Sequence, residues 1–428
     1  MRILLTGASG FIGRHVLHAL TQQGHQVLAI SRRAPQALPG TDPACWRWQA
    51  GDLQQMQAPA DWAALLQEVD VVINSVGIIR ETRAGDFQAL HSNAPRALFA
   101  AAQAAGVAQV IQISAQGSAP DAATGYWRSK GEAESALQTS SLHYTILRPG
   151  LVYGDDGDSS RMFMQLASLP CAMLPGAAST QVQPVHIDDL CACILRLLQA
   201  PQAAPRRLEV LGPRRMLLRD YLNNLRQGMG ALPGLILSMP FALARPLAWA
   251  AERFTSAPLT PDALVMLQQG ERSCGDPAPL AAWLGRSLRD PANFAHPALL
   301  LPAVWGWAGL LLRVLLAVLW LWTAWTSWFG WPQAQSHAWL QAIGIPAALA
   351  PTALAAACLM DAAIGLLLLW RPARWLWWLQ LGLVGFYSLA LAIGLPDMLF
   401  HPFGPLSKNL PILGLLLLFL CLQQPGRK

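Results

Sequence analysis

Tyr126 and Lys130 stand four residues apart in Tyr-Trp-Arg-Ser-Lys, at the opening of a helix-like run. At that spacing two side chains share one helix face. An ammonium beside a phenol stabilises the phenolate and lowers its pKa. A phenol tuned in this way can act as general acid or base beside a nicotinamide ring. The bare pair also fits an exposed helix start whose Tyr packs on a sheet. A second chemical element lies at the head of the chain, where the apolar run Arg2–Leu5 meets Thr6-Gly7-Ala8-Ser9-Gly10-Phe11-Ile12-Gly13. Helical spacing then follows over Arg14–Gln23. Strand, glycine turn and helix form the setting a dinucleotide needs. Gly7 permits the tight turn, Gly10 lets the backbone approach a pyrophosphate, and Gly13 lets the helix pack on the strand. The backbone from Ser9 through Phe11 and Ile12, with the positive end of the helix dipole, receives the phosphates.

The elements that must position these residues can be read outward from the glycine turn. A second strand, Gln26–Ile30, ends at Ser31-Arg32-Arg33. NAD sites place an acid there for the ribose 2′-hydroxyl, whereas NADP sites place an Arg for the 2′-phosphate. Two Arg and no acid favour NADP(H), with NAD(H) as the alternative. Gly51-Asp52-Leu53 follows a third short strand. Val69–Ser75 is a buried-type strand that closes on Val76-Gly77, and Val110–Ser114 is another. Helices such as Ala94–Ala105 fit between them, so the first half is an α/β doubly wound parallel sheet.

TGASGFIG, Gly51-Asp52, Asn74 to Gly77, Asn93, Tyr126 with Lys130, and Leu147-Arg148-Pro149-Gly150 occur in the order found in short-chain dehydrogenases/reductases. Tyr153-Gly154 and Val185-His186-Ile187-Asp188-Asp189 resemble the extended and atypical members. These include nucleotide-sugar epimerases and the nucleotide-binding accessory subunit of respiratory complex I. The resemblance covers about residues 1–295. It implies an Asp52–Leu53 turn near the adenine, and a cofactor wall from Ser75, Val76, Gly77 and Asn93. It also implies Tyr126 as catalytic acid/base, with Lys130 on the nicotinamide ribose. One position departs from the pattern. Family enzymes carry Ser or Thr after the strand that is Val110–Ser114 here, but the stretch reads Ile113-Ser114-Ala115-Gln116. Ser114 is the candidate substitute, with Ser118 as the other.

The composition divides the chain. Overall it is 54% hydrophobic and 13% charged, with 18 Trp, against about 25% charged in soluble domains. The deficit lies in residues 299–425. Four apolar runs occur there: Leu301–Trp328, Pro346–Trp370, Trp375–Leu395 and a shorter Leu410–Leu422 extendable through Leu406–Pro411. Lengths near 20 residues suit helical spans. The expected organisation is a Rossmann-type domain over 1–230, a hydrophobic lobe and linker over 231–298, and an all-α four-helix transmembrane domain over 299–428. Within the linker, Ala231–Ala250 is nearly uncharged and broken by Pro233, Pro240 and Pro246. It reads as a lid or interfacial helix, or else as a buried one. The carboxyl-terminal region resembles the DoxX-like membrane family through its Trp-rich first span, Asp361 and Gly365, Tyr387, and the stretch from Leu395-Pro396-Asp397 through His401-Pro402-Phe403-Gly404-Pro405 to Pro411.

Charge placement sets orientation and partners. Arg286 and Arg289 precede the first span, Arg371 and Arg374 separate the second and third, and Arg427 and Lys428 close the chain. By the positive-inside rule the Rossmann domain and the carboxyl terminus are cytoplasmic. Composition suggests a bacterial inner membrane. The net charge of +6 comes without a dense basic tract, which suits anionic lipid and speaks against nucleic acid. Seven Cys without CxxC spacing read as reduced thiols. Asp188-Asp189 reads as helix capping rather than as a metal pair. Arg313 and Asp361 fall inside spans, where charges either pair or mark a site.

Two functions follow. The first is a membrane-anchored NADP(H)-dependent oxidoreductase acting on a small lipophilic carbonyl, alcohol or quinone. The second is a non-catalytic NADPH-binding structural or regulatory protein among other membrane redox subunits. A nucleotide-gated sensor or transporter using Arg313 and Asp361 is a weaker third.

Overall fold

A computed structural model describes residues 1–254, 260–270, 274–400, 404 and 406–422. His401 to Phe403, Pro405, Arg427 and Lys428 of the sequence reading lie outside the described residues. The chain divides into two compact units, Met1–Ala303 and Val304–Lys428.

The first unit is built on a parallel sheet of seven strands. The strands β1 (Arg2–Thr6), β2 (Gln26–Ser31), β3 (Trp46–Ala50), β4 (Val71–Asn74), β5 (Gln109–Ile113) and β6 (Tyr144–Pro149) are joined by an edge strand, Arg207–Val210. The spatial order is Arg207–Val210, β6, β5, β4, β1, β2, β3. Sheets of this kind are buried on both faces, so their strands read as unbroken apolar runs. The period of two sorts the side chains. Ile3 and Leu5, Val71 and Ile73, and Ile111 and Ile113 join one core, under helices α1 (Phe11–Gln22) and Ile187–Gln199. Leu4, Val72 and Val110 join the opposite core, under Ala94–Ala104 and Gly125–Gln138. The strand order reverses between β1 and β4, and a doubly wound sheet opens its ligand crevice at that point.

A smaller lobe completes this unit. The Ala231–Ala250 segment is not one broken helix. It holds a strand, Leu235–Met239, paired in parallel with Cys171–Pro175, and then helix Phe241–Phe254 with Pro246 inside it. Pro240 ends the strand and fixes the start of the helix. The strand's partner lies far back in the chain, where local periodicity cannot point. Arg226 is buried and clamps the lobe. Its guanidinium donates to the carbonyls of Ala167, Gly234 and Leu169 at 2.7, 2.6 and 2.8 Å.

The second unit is helical. Three helices are long and apolar enough to cross a membrane: Pro297–Gly330, Ala350–Trp370 and Arg374–Gly394. The fourth apolar helix, Asn409–Leu422, has 14 residues and does not extend back through Leu406, which lies in a turn. It therefore rises only about 21 Å. A further short helix, Gln333–Ala342, was not anticipated. Packing relies on aromatic stacking and close backbone approach. Trp377 stacks on Phe419 at 4.3 Å. A Cβ at Gly365 would sit 2.7 Å from Leu321, so only glycine lets these helices approach. Arg313 and Asp361 do not pair. The Nε of Arg313 and one carboxyl oxygen of Asp361 are buried without a hydrogen-bond partner among the described residues.

Candidate nucleotide and catalytic site

The glycine turn has the geometry its sequence demands. Gly7 has φ +72° and lies against the end of β4, where a Cβ would meet Ser75 and Val76 backbone at 2.9 Å. A Cβ at Gly13 would fall 2.2 Å from the Gly7 carbonyl oxygen. Helix α1 therefore sits on the turn only because both residues lack side chains. Gly10 is its N-cap and no side chain caps it. The first-turn amides, Phe11 and Ile12 among them, remain open to a phosphate. Ser9 and Gly10 are exposed at this mouth.

The strand ends beside the turn carry the other predicted positions. Ser75 donates to the Thr6 carbonyl at 2.6 Å, tying β4 to β1. Buried Asn74 accepts from the Thr6 hydroxyl at 2.5 Å and donates to Gln112 at 2.7 Å, so one polar chain crosses three strands. Arg32 and Arg33 follow β2, exposed and without an ion-pair partner among the described residues. This turn and its open helix end fit the phosphates of a dinucleotide. Asp52 accepts from the Gln54 amide at 3.2 Å, and the Leu53 side chain belongs to the core. Asn93 donates to Gln57 at 3.1 Å.

Tyr126 and Lys130 lie on helix Gly125–Gln138, which Thr124 caps by accepting from the Trp127 amide at 3.2 Å. The Lys130 ammonium lies 5.6 Å from the Tyr126 ring centre and donates to the Ile113 carbonyl at 3.3 Å. It also lies 3.4 Å from where a Cβ of Gly77 would stand. Lys130, Gly77 and Tyr126 are thereby brought to one place at the ends of β4 and β5. The electrostatics differ from the sequence expectation. Burial pushes Tyr126 up to about 12 and Lys130 down to about 8. Desolvation outweighs an ammonium at this separation. Ser114 makes no hydrogen bond to Tyr126. Its hydroxyl is buried without a hydrogen-bond partner, as is that of Ser118, among the described residues. Ala115 is buried against Trp127, with Tyr126 at the edge of the same cluster.

Sequence reasoning missed His91. A π-helical segment, Gln88–Asn93, turns it inward, and such segments recur at functional sites. Its Nε2 accepts from the Ile78 amide at 2.9 Å, and its Nδ1 meets the Ser129 hydroxyl at 3.1 Å. Its ring stands edge-on to Tyr126 at 5.5 Å. Burial and then the Lys130 charge hold it well below the usual His range, so it is neutral. Its only sequence signal is its place two residues before Asn93 in the family-like pattern.

Asp188 and Asp189 are structural. Asp189 is fully buried and accepts from Arg286 at 2.6 Å, while Asp188 pairs with Arg289 at 2.7 Å. Arg286 and Arg289, counted above as flanking the membrane, thus serve the fold of the first unit. Among the described residues no group of three or more His, Cys, Asp and Glu is placed to hold a metal.

Lys130 makes the stability of the ligand-free protein depend on pH. Its folded pKa near 8 lies below the ordinary 10.5, so the unfolded chain holds the proton longer and stability rises from pH 8 toward 10.5. Below pH 8 the whole cost is present, roughly 3 kcal/mol. Tyr126, raised, removes stability above pH 10. Melting temperatures of the parent and Lys130→Met are expected to converge between pH 8 and 10. A gap that is constant across this range would mean that the ammonium is not desolvated.

Comparison with known proteins agrees with this geometry. Residues 7–168 match an NAD(P)H-binding family and residues 317–417 match the DoxX-like family. A ceramide reductase from Caulobacter vibrioides is 25% identical over 238 residues, 55% of this chain and 72% of that protein. The NADH dehydrogenase [ubiquinone] 1 alpha subcomplex subunit 9 of Rattus norvegicus is 30% identical over 223 residues. There the match spans 50% of this chain and 57% of the rat protein. A nucleoside-diphosphate-sugar epimerase structure from Staphylococcus aureus superposes with a TM-score of 0.55 at 16% identity, over 69% of this chain and 99% of that one. The chain joins an NAD(P)-binding Rossmann domain, related to the complex I subunit 9 proteins and sharing the epimerase fold, to a carboxyl-terminal DoxX-like domain whose long apolar helices mark a membrane protein.

Proposed function

We propose that this protein is a membrane-anchored NADP(H)-dependent oxidoreductase acting on a lipophilic carbonyl, alcohol or quinone-like substrate. The observation that carries the proposal is the Tyr126–Lys130 pair, held on one helix face with the ammonium against Gly77. A bound nicotinamide would supply the hydride chemistry. Tyr126 gives a proton to the substrate oxygen during reduction and recovers it in the reverse direction. Lys130 holds the ribose and keeps a positive charge beside the phenol. The similarity to a ceramide reductase supports a lipid-like substrate. A bacterial inner membrane, with the nucleotide-binding unit on the cytoplasmic side, accords with Arg371 and Arg374 between the second and third long helices. The decisive assay follows NADPH oxidation by the reconstituted protein against lipophilic carbonyls and quinones. Oxidation of none of them, with NADPH still bound tightly, would sink the proposal.

Arg32 and Arg33 are assigned to the 2′-phosphate. The double substitution Arg32→Ser/Arg33→Ser is expected to weaken NADPH binding roughly ten- to a hundredfold and to leave NADH binding as it was. Equal losses for both nucleotides, read by titration calorimetry, would remove the pair from that role.

A second reading has its own observation. Ser114 makes no hydrogen bond to Tyr126 and Ala115 fills the neighbouring position. A protein that binds NADPH without turning over a substrate, in contact with other membrane redox subunits, accommodates that gap.

A further inference from the structure

We propose that the amino-terminal unit carries its own lipid-contacting surface, formed by the strand pair Cys171–Pro175 and Leu235–Met239 with helix Phe241–Phe254. The proposal rests on the reading of the carboxyl-terminal helices as membrane spans.

Ten large hydrophobic residues are exposed among the described residues of Met1–Ala303, and six of them lie here: Met173, Leu232, Leu235, Leu237, Leu243 and Trp249. Their contiguity follows from the pairing. Leu235 stands opposite Cys171, and Leu237 opposite Met173. All four are exposed, while Ala172 and Leu174 between them turn into the core. The inner face of this small sheet is thus already used, and the outer face is apolar as well. The following helix starts against the same strand, where a Cβ on Gly176 would strike the Phe241 ring at 2.5 Å. Ala244 and Ala248 face its core, leaving Leu243 and Trp249 outside.

A helix at a water surface turns charge outward. Here helix Phe241–Phe254 has Arg245 and, in its last turn, Glu252 and Arg253 as its charged residues, and the strands Cys171–Pro175 and Leu235–Met239 have none. An exposed apolar patch of this extent marks a contact surface. The chain itself supplies the occupant. It runs on into the apolar helix Pro297–Gly330, so this unit is tethered to a bilayer and meets it at high effective concentration. Arg245 and Trp249, one helical turn apart and both exposed, suit the headgroup layer, with the indole at the interface and the guanidinium reaching outward.

The test uses the full chain in phosphatidylcholine vesicles, with Cys45, Cys171 and Cys421 replaced by Ser. An environment-sensitive nitrobenzoxadiazole label is attached in turn at Leu237→Cys, Trp249→Cys, Gln138→Cys and Leu366→Cys. Nitroxide-bearing lipid and aqueous iodide serve as quenchers. Gln138 is exposed on another face of the first unit, and Leu366 is exposed on a long apolar helix. The expected result is strong lipid quenching and weak iodide quenching at Leu237 and Trp249, as at Leu366, with the reverse at Gln138. Iodide quenching at Leu237 and Trp249 with lipid quenching at Leu366 overturns the proposal and leaves the spans intact. Protection from both quenchers assigns the patch to a second copy and overturns it too. Loss of lipid quenching at Leu366 removes the span reading, and the proposal with it. NADPH binding by each labelled protein verifies its fold.

Discussion

Tyr126→Phe is expected to bind NADPH as tightly as the parent while its turnover falls by about 10²–10⁴-fold, the usual worth of a positioned general acid. The substitution removes one oxygen from a partly buried ring that packs edge-on against His91 and Phe87, so the site keeps its shape. The loss should fall on kcat, because the hydroxyl acts on the substrate oxygen as the transition state forms. Stopped-flow measurement of nicotinamide oxidation with saturating acceptor reads that step alone. Undiminished turnover would take Tyr126 out of the chemistry.

Arg148→Met is expected to destabilise the amino-terminal unit by about 3–5 kcal/mol, the range for stripping one partner from a buried ion pair. Arg148 lies on β6 and Glu134 on the helix that carries Lys130. Two of its contacts, from Nε to both carboxyl oxygens, measure 3.0 and 3.1 Å, and its Nη2 also donates to the Ser118 carbonyl at 2.9 Å. Glu134 is buried, so the substitution strips its carboxylate of the counter-charge that hydrogen-bonds it. The melting temperature should drop on the order of 10 °C. Double replacement with Glu134→Leu should recover much of the loss. A melt that does not move, or a double variant no better than the single, would show that the pair carries no such weight.

The sheet was legible because a strand buried on both faces has to be largely apolar: Ile3 to Leu5 and Val71 to Ile73 are so throughout, and Val110 to Ile113 is broken only by Gln112, which is buried and bonded to Asn74. The glycine turn was legible for a steric reason, since Gly7 and Gly13 sit where any Cβ would collide with backbone. The spacing of Tyr126 and Lys130 reported their shared helix face correctly. It could not report the desolvation that reverses the expected shift of the phenol, because burial is a property of the whole unit. Leu235–Met239 was hidden because its partner strand is remote in sequence. Arg286 and Arg289 read as membrane flanks until Asp189 and Asp188 appeared beside them. His91 was invisible because a π-helical turn, not the ordinary helical period, aims it inward. For Arg313 and Asp361 the sequence left a pair and a site equally open, and among the described residues no ion pair joins them, because two charges on consecutive spans do not fix the helix rotation that would bring them together.

The two ring nitrogens of His91 have a consequence for proton supply. Nε2 accepts from the Ile78 amide, so the ring proton resides on Nδ1 and points at Ser129, whose hydroxyl in turn donates to the Tyr126 carbonyl. That chain ends on backbone, not on the phenol. Within this arrangement His91 has neither a proton to release nor a free lone pair to fill. A proton reaching the phenol therefore comes from elsewhere than this ring, and the Lys130 ammonium, 5.6 Å from the Tyr126 ring centre, stands on a different path from it. His91 thus fixes the shape of the site around Tyr126 without taking part in its proton traffic, and a change of its charge would be felt as a change of packing.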